Sequence, residues 1–239
     1  MLEENFDNLI ELINYSNELH KNQISSIKKY IKKSKSNTEK FFELIYSILV
    51  GTQIKTNKVK ICYDQLLNEY FALFHPRSLK ELEDFTFIKD LIKRSLKDNG
   101  YRFYKTKSDT IYNAILFFKN YNFNIDNFLI EYSDYKSIRK ELMKINGVGY
   151  KIASHWLRNV GFYIPVIDIH IKKLLNRFKV ITKEEFNYLS YENIQNEIIK
   201  KLGIDNFTFD LSLWHYGKNF CGNRKCKNCK FNSICSNKF

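Results

Sequence analysis

Apolar residues recur along most of this chain at three- and four-residue spacing, the period of helices that bury one face. After Ser36-Asn37-Thr38-Glu39, which has capping-box spacing, Phe41, Phe42, Ile45, Ile48 and Leu49 form one apolar stripe that Gly51 closes. The pattern predicts two further amphipathic helices, Leu79 to Leu96 and Lys107 to Phe118, separated by the turn signal Asn99-Gly100. Short helices over Ser137 to Met143 and Lys151 to Asn159 flank Gly147-Val148-Gly149. Ile169 to Phe178 follows Asp168, and Thr182-x-x-Glu185 offers a second capping box. Beyond Gly203, Asn206 to Tyr216 leads into a run of cysteines. Val160 to Ile167, around Pro165, reads as a connector between helices, since strand patterning is thin throughout. The expected fold is all-α and two-lobed. Roughly 50–165 would form one lobe ending in the glycine turn, 1–49 with 166–220 the second, and 221–235 a loop, with a cleft between the lobes.

Composition narrows this picture. With 44% hydrophobic and 16% aromatic residues, the 239-residue chain can bury a sizeable core and is no disordered tail. The start, Met1-Leu2-Glu3-Glu4-Asn5, lacks the apolar stretch of a secretory signal, and no membrane-length apolar run occurs, so a soluble cytoplasmic protein is expected. Lys plus Arg total 39 against 26 Asp plus Glu, a net charge of +13. Such an excess favours polyanions, nucleic acid first and an anionic membrane surface second. A bland source exists as well: the chain is rich in Lys, Asn, Ile, Tyr and Phe, as AT-rich coding sequence gives. Lys28, Lys29, Lys32, Lys33 and Lys35 are most simply a solvated face.

The glycine turn carries the first chemistry. Gly147-Val148-Gly149 between two short helices lets a phosphate approach the backbone, and the amides opening the second helix make an anion site. An ordinary helix–helix turn would look the same. Lys151 follows in the first turn of that helix, where the dipole disfavours an ammonium and favours the neutral, nucleophilic amine; a phosphate-contacting lysine is the plainer alternative. Asp168 is placed as an N-cap, a position that keeps a carboxylate ionised and able to offset positive charge. His170 fits a structural place better than a chemical one. Cys221-x4-Cys226-x2-Cys229-x5-Cys235 packs four thiols into fifteen residues, which implies a metal site and makes Cys₄ zinc one physical option. Cys62, with Ile61 and Leu66, reads as a buried small hydrophobe.

The run from Asn146-Gly147-Val148-Gly149-Tyr150-Lys151 through Ala153-Ser154-His155-Trp156-Leu157-Arg158-Asn159-Val160-Gly161 to Pro165-Val166-Ile167-Asp168-Ile169-His170 resembles the helix-hairpin-helix DNA glycosylase superfamily. Within it, Gly149 to Gly161 and Asn99-Gly100-Tyr101-Arg102-Phe103-Tyr104-Lys105 are similar to the archaeal-type 8-oxoguanine DNA glycosylases. The resemblance covers roughly 38–180. It implies an N-glycosylase with AP lyase activity, Lys151 as nucleophile and Asp168 as catalytic carboxylate. It also implies a partner, damaged double-stranded DNA, a monomeric protein, no membrane, and a nucleoid-associated place. Gly147, Val148 and Gly149 would hold the DNA backbone, and Gln53, in Gly51-Thr52-Gln53, resembles the loop that endonuclease III inserts where a base has flipped. Members of the endonuclease III branch carry a 4Fe–4S cluster on a similar cysteine run. This chain matches the last two gaps and shortens the first by two residues, so the resemblance implies a 4Fe–4S cluster on Cys221, Cys226, Cys229 and Cys235, with zinc the alternative. Arg224 and Lys225 beside them would contact phosphate.

On substrate, the hairpin points to 8-oxoguanine. The C-terminal part points to the oxidised pyrimidines of endonuclease III, because the archaeal-type enzymes end in a base-reading lysine where this chain has Lys238-Phe239. A non-catalytic helix-hairpin-helix DNA-binding module would need neither Lys151 nor Asp168, an iron–sulfur electron carrier would not need the charge or the hairpin, and a monofunctional glycosylase would use Asp168 and water alone.

Overall fold

The computed structural model describes residues 2–51, 54–132, 134–181, 187–223 and 225–235. Among them the regular elements are all helical: α1 (Leu2–Leu19), α2 (Lys21–Lys32), α3 (Asn37–Val50), α4 (Thr56–Phe74), α5 (Pro76–Glu81), α6 (Thr86–Asp98), α7 (Tyr104–Lys119), α8 (Ile125–Glu131), α9 (Tyr135–Leu142), α10 (Tyr150–Asn159), α11 (Ile169–Arg177), α12 (Tyr188–Leu202) and α13 (Asn206–Tyr216). No described helix is long and apolar enough to cross a membrane.

Local chemistry sets the helix ends. The Ser36 hydroxyl accepts from the Glu39 amide at 3.2 Å while the Ser36 amide donates to Glu39 Oε2 at 2.7 Å, the reciprocal box expected at the start of α3. Asn124, Asp134, Asn187 and Asp205 cap α8, α9, α12 and α13, each with a side-chain oxygen accepting from the amide three residues on. The predicted helix Leu79 to Leu96 is two helices, α5 and α6. Asp84 divides them: its carboxylate accepts from the Thr86 amide (2.8 Å) and hydroxyl (2.9 Å), a local alternative that outcompetes helix propagation. Cys62 is fully buried with Leu66, whereas Ile61 is exposed, so the apolar face there is narrower than expected. The capping box at Thr182 to Glu185 lies outside the described residues.

Two compact units result. One is the contiguous stretch 33–162, with α3 to α10. The expected boundary at residue 50 is therefore displaced, because α3 belongs here. Trp156 Nε1 on α10 donates to the Lys40 carbonyl at 2.7 Å, and Asn159 Nδ2 donates to Glu43 Oε2 at 2.9 Å. Phe41 meets Phe118 and Phe123 edge-on. The stripe predicted along α3 is this unit's core.

The other unit joins 1–32 to 163–239. Its core packs Leu9, Leu12 and Ile13 of α1 with Ile171, Leu174 and Leu175 of α11 and Phe209 and Leu213 of α13. The cysteine loop is not separate from it: Phe231 is buried in the same core, with Cys221 and Cys229 against it.

Candidate active site

Within the unit 33–162, the hairpin runs from α9 through a tight turn into α10. Asp134 Oδ1 accepts from the amides of Lys136 (2.7 Å) and Ser137 (3.1 Å) and starts α9. Arg139, buried on α9, sets its guanidinium 3.7 Å from the Tyr150 ring centroid and reaches Ser154 Oγ at 3.4 Å, tying the two helices together. In the turn, the Val148 amide donates to the Ile145 carbonyl at 2.9 Å and the Val148 side chain is buried.

The two glycines do different things. Gly147 has φ +90°, and a Cβ there would collide with the Thr110 side chain on α7. Asn113 of α7 also donates to the Asn146 carbonyl at 3.3 Å. Gly149 is extended (φ −94°, ψ −178°), and a Cβ on it would meet nothing within 4 Å. As the N-cap of α10, Gly149 offers no side-chain oxygen, so the start of α10 has no side-chain cap. This is an anion-binding geometry reinforced by the helix dipole.

Lys151 is half-buried in that first turn. One turn on, His155 Nδ1 lies 2.9 Å from Ser47 Oγ of α3, and burial, Arg158 and Lys151 hold this imidazole neutral, well below its ordinary range. On α7, Lys107 is 7% exposed, and burial together with the nearby Lys151 charge lowers it to about 8. Lys107 escaped the motif reading. Its signal was a lysine four residues before Ile111 on the stripe that Ala114, Ile115 and Phe118 continue.

Asp168 belongs to the other unit. It caps α11, its Oδ1 accepting from the amides of His170 (2.8 Å) and Ile171 (3.1 Å), as its position before the helix predicted. The connector leading to it is held by a carboxylate that the motif reading missed. Asp210 of α13, 1% exposed, accepts from the Val166 amide at 2.6 Å and from the Tyr191 hydroxyl at 2.8 Å. A lone Asp in the run Phe207-Thr208-Phe209-Asp210-Leu211 was the available sign. His170 lies against Gly217 and Gly222.

α13 continues through one wider helical turn, Gly217–Cys221, that delivers the first cysteine. Cys221, Cys226, Cys229 and Cys235 line a single pocket with Arg177, Phe220 and Asn232. Tyr216 Oη sits 3.1 Å from Cys229 Sγ, and the buried Arg177 hydrogen-bonds Cys221. None of the five cysteines is in a disulfide. Among the described residues, no three His, Cys, Asp or Glu side chains converge closely enough to hold a single metal ion. Lys225 is exposed beside the pocket; Gln53 and Arg224 lie outside the described residues.

Solved structures share this fold. The 8-oxoguanine DNA glycosylase of Methanocaldococcus jannaschii superimposes with a TM-score of 0.66 at 26% identity, over 87% of this chain and 94% of that one. The glycosylase/lyase from the same organism has also been solved with a 15mer DNA containing 8-oxoguanine, at a TM-score of 0.64. A trapped endonuclease III–DNA covalent intermediate aligns over 97% of this chain and 95% of its own at TM-score 0.66, with 15% identity, which shows a common fold. The fold is thus that of the helix-hairpin-helix DNA glycosylases. In sequence, the M. jannaschii 8-oxoguanine DNA glycosylase/AP lyase is 30% identical over 192 residues, covering 77% of this chain and 82% of the relative. The Thermoplasma acidophilum enzyme of the same name is 35% identical over 133 residues, a match spanning 53% of this chain and 62% of that protein, under two thirds of its length. The model of the 8-oxoguanine DNA glycosylase family matches residues 20–204, and this chain belongs to that family.

Proposed function

We propose that this chain excises 8-oxoguanine from duplex DNA and cleaves the resulting abasic site by β-elimination. The observation that carries the reading is the placement of Lys151 directly behind a glycine hairpin whose α10 amides are open to a phosphate. The glycosidic bond is unreachable in the base stack, so the nucleotide is extruded first. Gly147, Val148 and Gly149 hold the backbone without reading sequence, and Lys225 and Arg224 add charge to the same task. Gln53 fills the gap that the extruded base leaves. Lys151 Nζ then attacks C1′, forming a C–N bond as the base leaves with the glycosidic electron pair. The Asp168 carboxylate offsets positive charge on the sugar in that transition state. Ring opening yields a Schiff base, its C2′ proton becomes acidic, and loss of that proton expels the 3′ phosphate.

Borohydride should trap a covalent complex with an 8-oxoguanine duplex, and Lys151→Gln should abolish the trap while still binding DNA. An undiminished trap in that variant moves the nucleophile elsewhere. A single-turnover panel of 8-oxoguanine, thymine glycol and uracil duplexes tests the substrate. The cysteine pocket, akin to that of the endonuclease III branch, favours oxidised pyrimidines as a second reading, and preference for thymine glycol would replace the first with it.

The cysteine pocket we assign to a 4Fe–4S cluster, which supplies a structural cross-link and an electron-transfer centre when bound. A single tetrahedral ion needs its sulfurs about 3.8 Å apart, whereas a cluster keeps four thiolates on one cavity wall at wider spacing. Four cysteines lining one pocket supply the thiolate ligand set that such a cluster takes. Protein purified in air should be brown, with a broad visible absorbance shoulder and about four irons per chain. Colourless protein with stoichiometric zinc reverses the assignment.

A further inference from the structure

Residues 163–168, which lead into α11, belong to no regular element, yet Ile164 to Asp168 are all buried. Buried backbone outside helices and strands needs hydrogen-bond partners from elsewhere, and here α13 supplies them. Asn206 Nδ2 donates to the Tyr163 carbonyl at 3.1 Å, and the Tyr163 ring centroid lies 4.8 Å from that of Phe207. One turn further along α13, Asp210 Oδ2 accepts from the Val166 amide at 2.6 Å, the first backbone donor after Pro165, which has none. The Tyr191 hydroxyl of α12, on a fully buried side chain, holds the other oxygen, Oδ1, at 2.8 Å. Burying a carboxylate is unfavourable unless it is hydrogen-bonded. Its neighbours Phe209, Leu211 and Leu213 are buried apolar side chains, and another of that kind would serve packing alone. What the carboxylate adds at 210 is a fixed acceptor for the connector. Asp168 follows Val166 by two residues, about 7 Å of chain at most. Its own Oδ1 is tied to the first amides of α11, so its backbone is held by α11 after it and, through Val166, by α13 before it.

We propose that Asp210 is a positioning residue for base release, acting through the Val166 amide to set the place of the Asp168 carboxylate. The proposal rests on Asp168 being the group that offsets charge on the sugar. Such a role depends on the length of the side chain and not on its charge. Asn has the same length: its Oδ1 accepts from Val166 while its Nδ2 donates to the Tyr191 oxygen, whose proton turns away. Glu keeps the charge but moves the acceptor by one methylene, and Leu has no acceptor at all.

The test compares single-turnover base release from an 8-oxoguanine duplex with borohydride trapping on a preformed abasic duplex, which needs Lys151 but no departing base. Asp210→Leu and Asp210→Glu should lose about 10–100-fold in base release and stay within about threefold of wild type in trapping. Asp210→Asn should keep both within about threefold. A shortage of folded protein lowers the two reactions together and leaves their ratio unchanged. In the Asp168→Asn background, Asp210→Leu should cost less than about twofold further, because its effect passes through a charge already removed. The proposal is overturned by equal losses in base release and trapping, by a full additional loss in the Asp168→Asn background, or by Glu keeping the rate while Asn loses it. Full base release in Asp168→Asn removes the reading on which the proposal rests, whereas full base release in Asp210→Leu beside a disabled Asp168→Asn removes the proposal alone. Should neither Leu nor Glu fold, Asp210→Asn and hydrogen exchange in the free protein still decide. The Val166 amide should exchange at least about 10³-fold slower than an exposed amide in both wild type and Asp210→Asn, and an unprotected amide or a lost rate in the Asn variant overturns the proposal.

Discussion

Both amides that Asp168 caps converge on Oδ1, so one oxygen of the carboxylate is committed to starting α11. Capping and chemistry can therefore be separated by substitution. Asn presents the same carbonyl-type oxygen and caps nearly as well, but carries no charge. Asp168→Asn should keep thermal stability within about 0.5 kcal/mol. Its single-turnover base release should fall on the order of 10²–10³-fold, because the charge it offsets exists mainly in the transition state. Asp168→Ala should lose the rate and, in addition, about 1 kcal/mol of stability. A full rate in the Asn variant would remove the carboxylate from the chemistry. The places of Lys151 and Asp168 at the starts of α10 and α11 were readable from sequence, because a few neighbours define a helix start. Lys107 and Asp210 were not. Their burial is decided by what packs on α7 and α13, and no local pattern reports that.

At the scale of the element, the hairpin works through two glycines with opposite requirements. Gly147 is fixed by its left-handed backbone and by Thr110, and Gly149 by neither. Gly147→Ala should destabilise the protein by about 2 kcal/mol or more, read as a drop in the urea midpoint. Gly149→Ala should leave that midpoint nearly unchanged and weaken binding to undamaged duplex, since its methyl group enters the approach to the α10 amides. Loss of stability in Gly149→Ala with duplex affinity intact would contradict this division. The hairpin was legible because glycine at a turn is a backbone statement that sequence carries directly. The break between α5 and α6 was harder to see. Leu79 to Leu96 keeps a helical period across it, and the break lies in a side chain, Asp84, that bonds Thr86 instead of letting the turn continue.

For the molecule as a whole, acid is the informative stress. His20 and His215 stack at 4.9 Å in the unit that joins the two ends of the chain, and both are buried. Burial lowers His20, and burial with the His20 and Lys218 charges brings His215 to about 4. The native state thus binds fewer protons at these sites than the unfolded chain, whose histidines take them up near 6.5. Their stabilising contribution is complete above that value and is lost as the pH falls toward about 4. Thermal midpoints measured from pH 8 to pH 5 should decline, and the decline should be shallower in His215→Gln. Equal slopes would place the acid sensitivity elsewhere. The two-lobed plan was read correctly in outline. Its boundary was misplaced because α3 is bounded by strong local signals, whereas its allegiance to α10 rests on Trp156 and Asn159, more than a hundred residues on.

The interleaving of the units has a consequence for how the chain is made. The stretch 33–162 is continuous and can complete its core as it leaves the ribosome. The other core cannot. α1 emerges first, yet Leu9, Leu12 and Ile13 are covered by α11 and α13, and α13 begins only at Asn206. At ~5–20 residues per second, α1 waits about 10–40 s with its apolar face uncovered. For that interval the newborn protein is a client for whatever shields exposed hydrophobic helices in the cell, and a slower decoding rate over the second half of the message would lengthen its exposure.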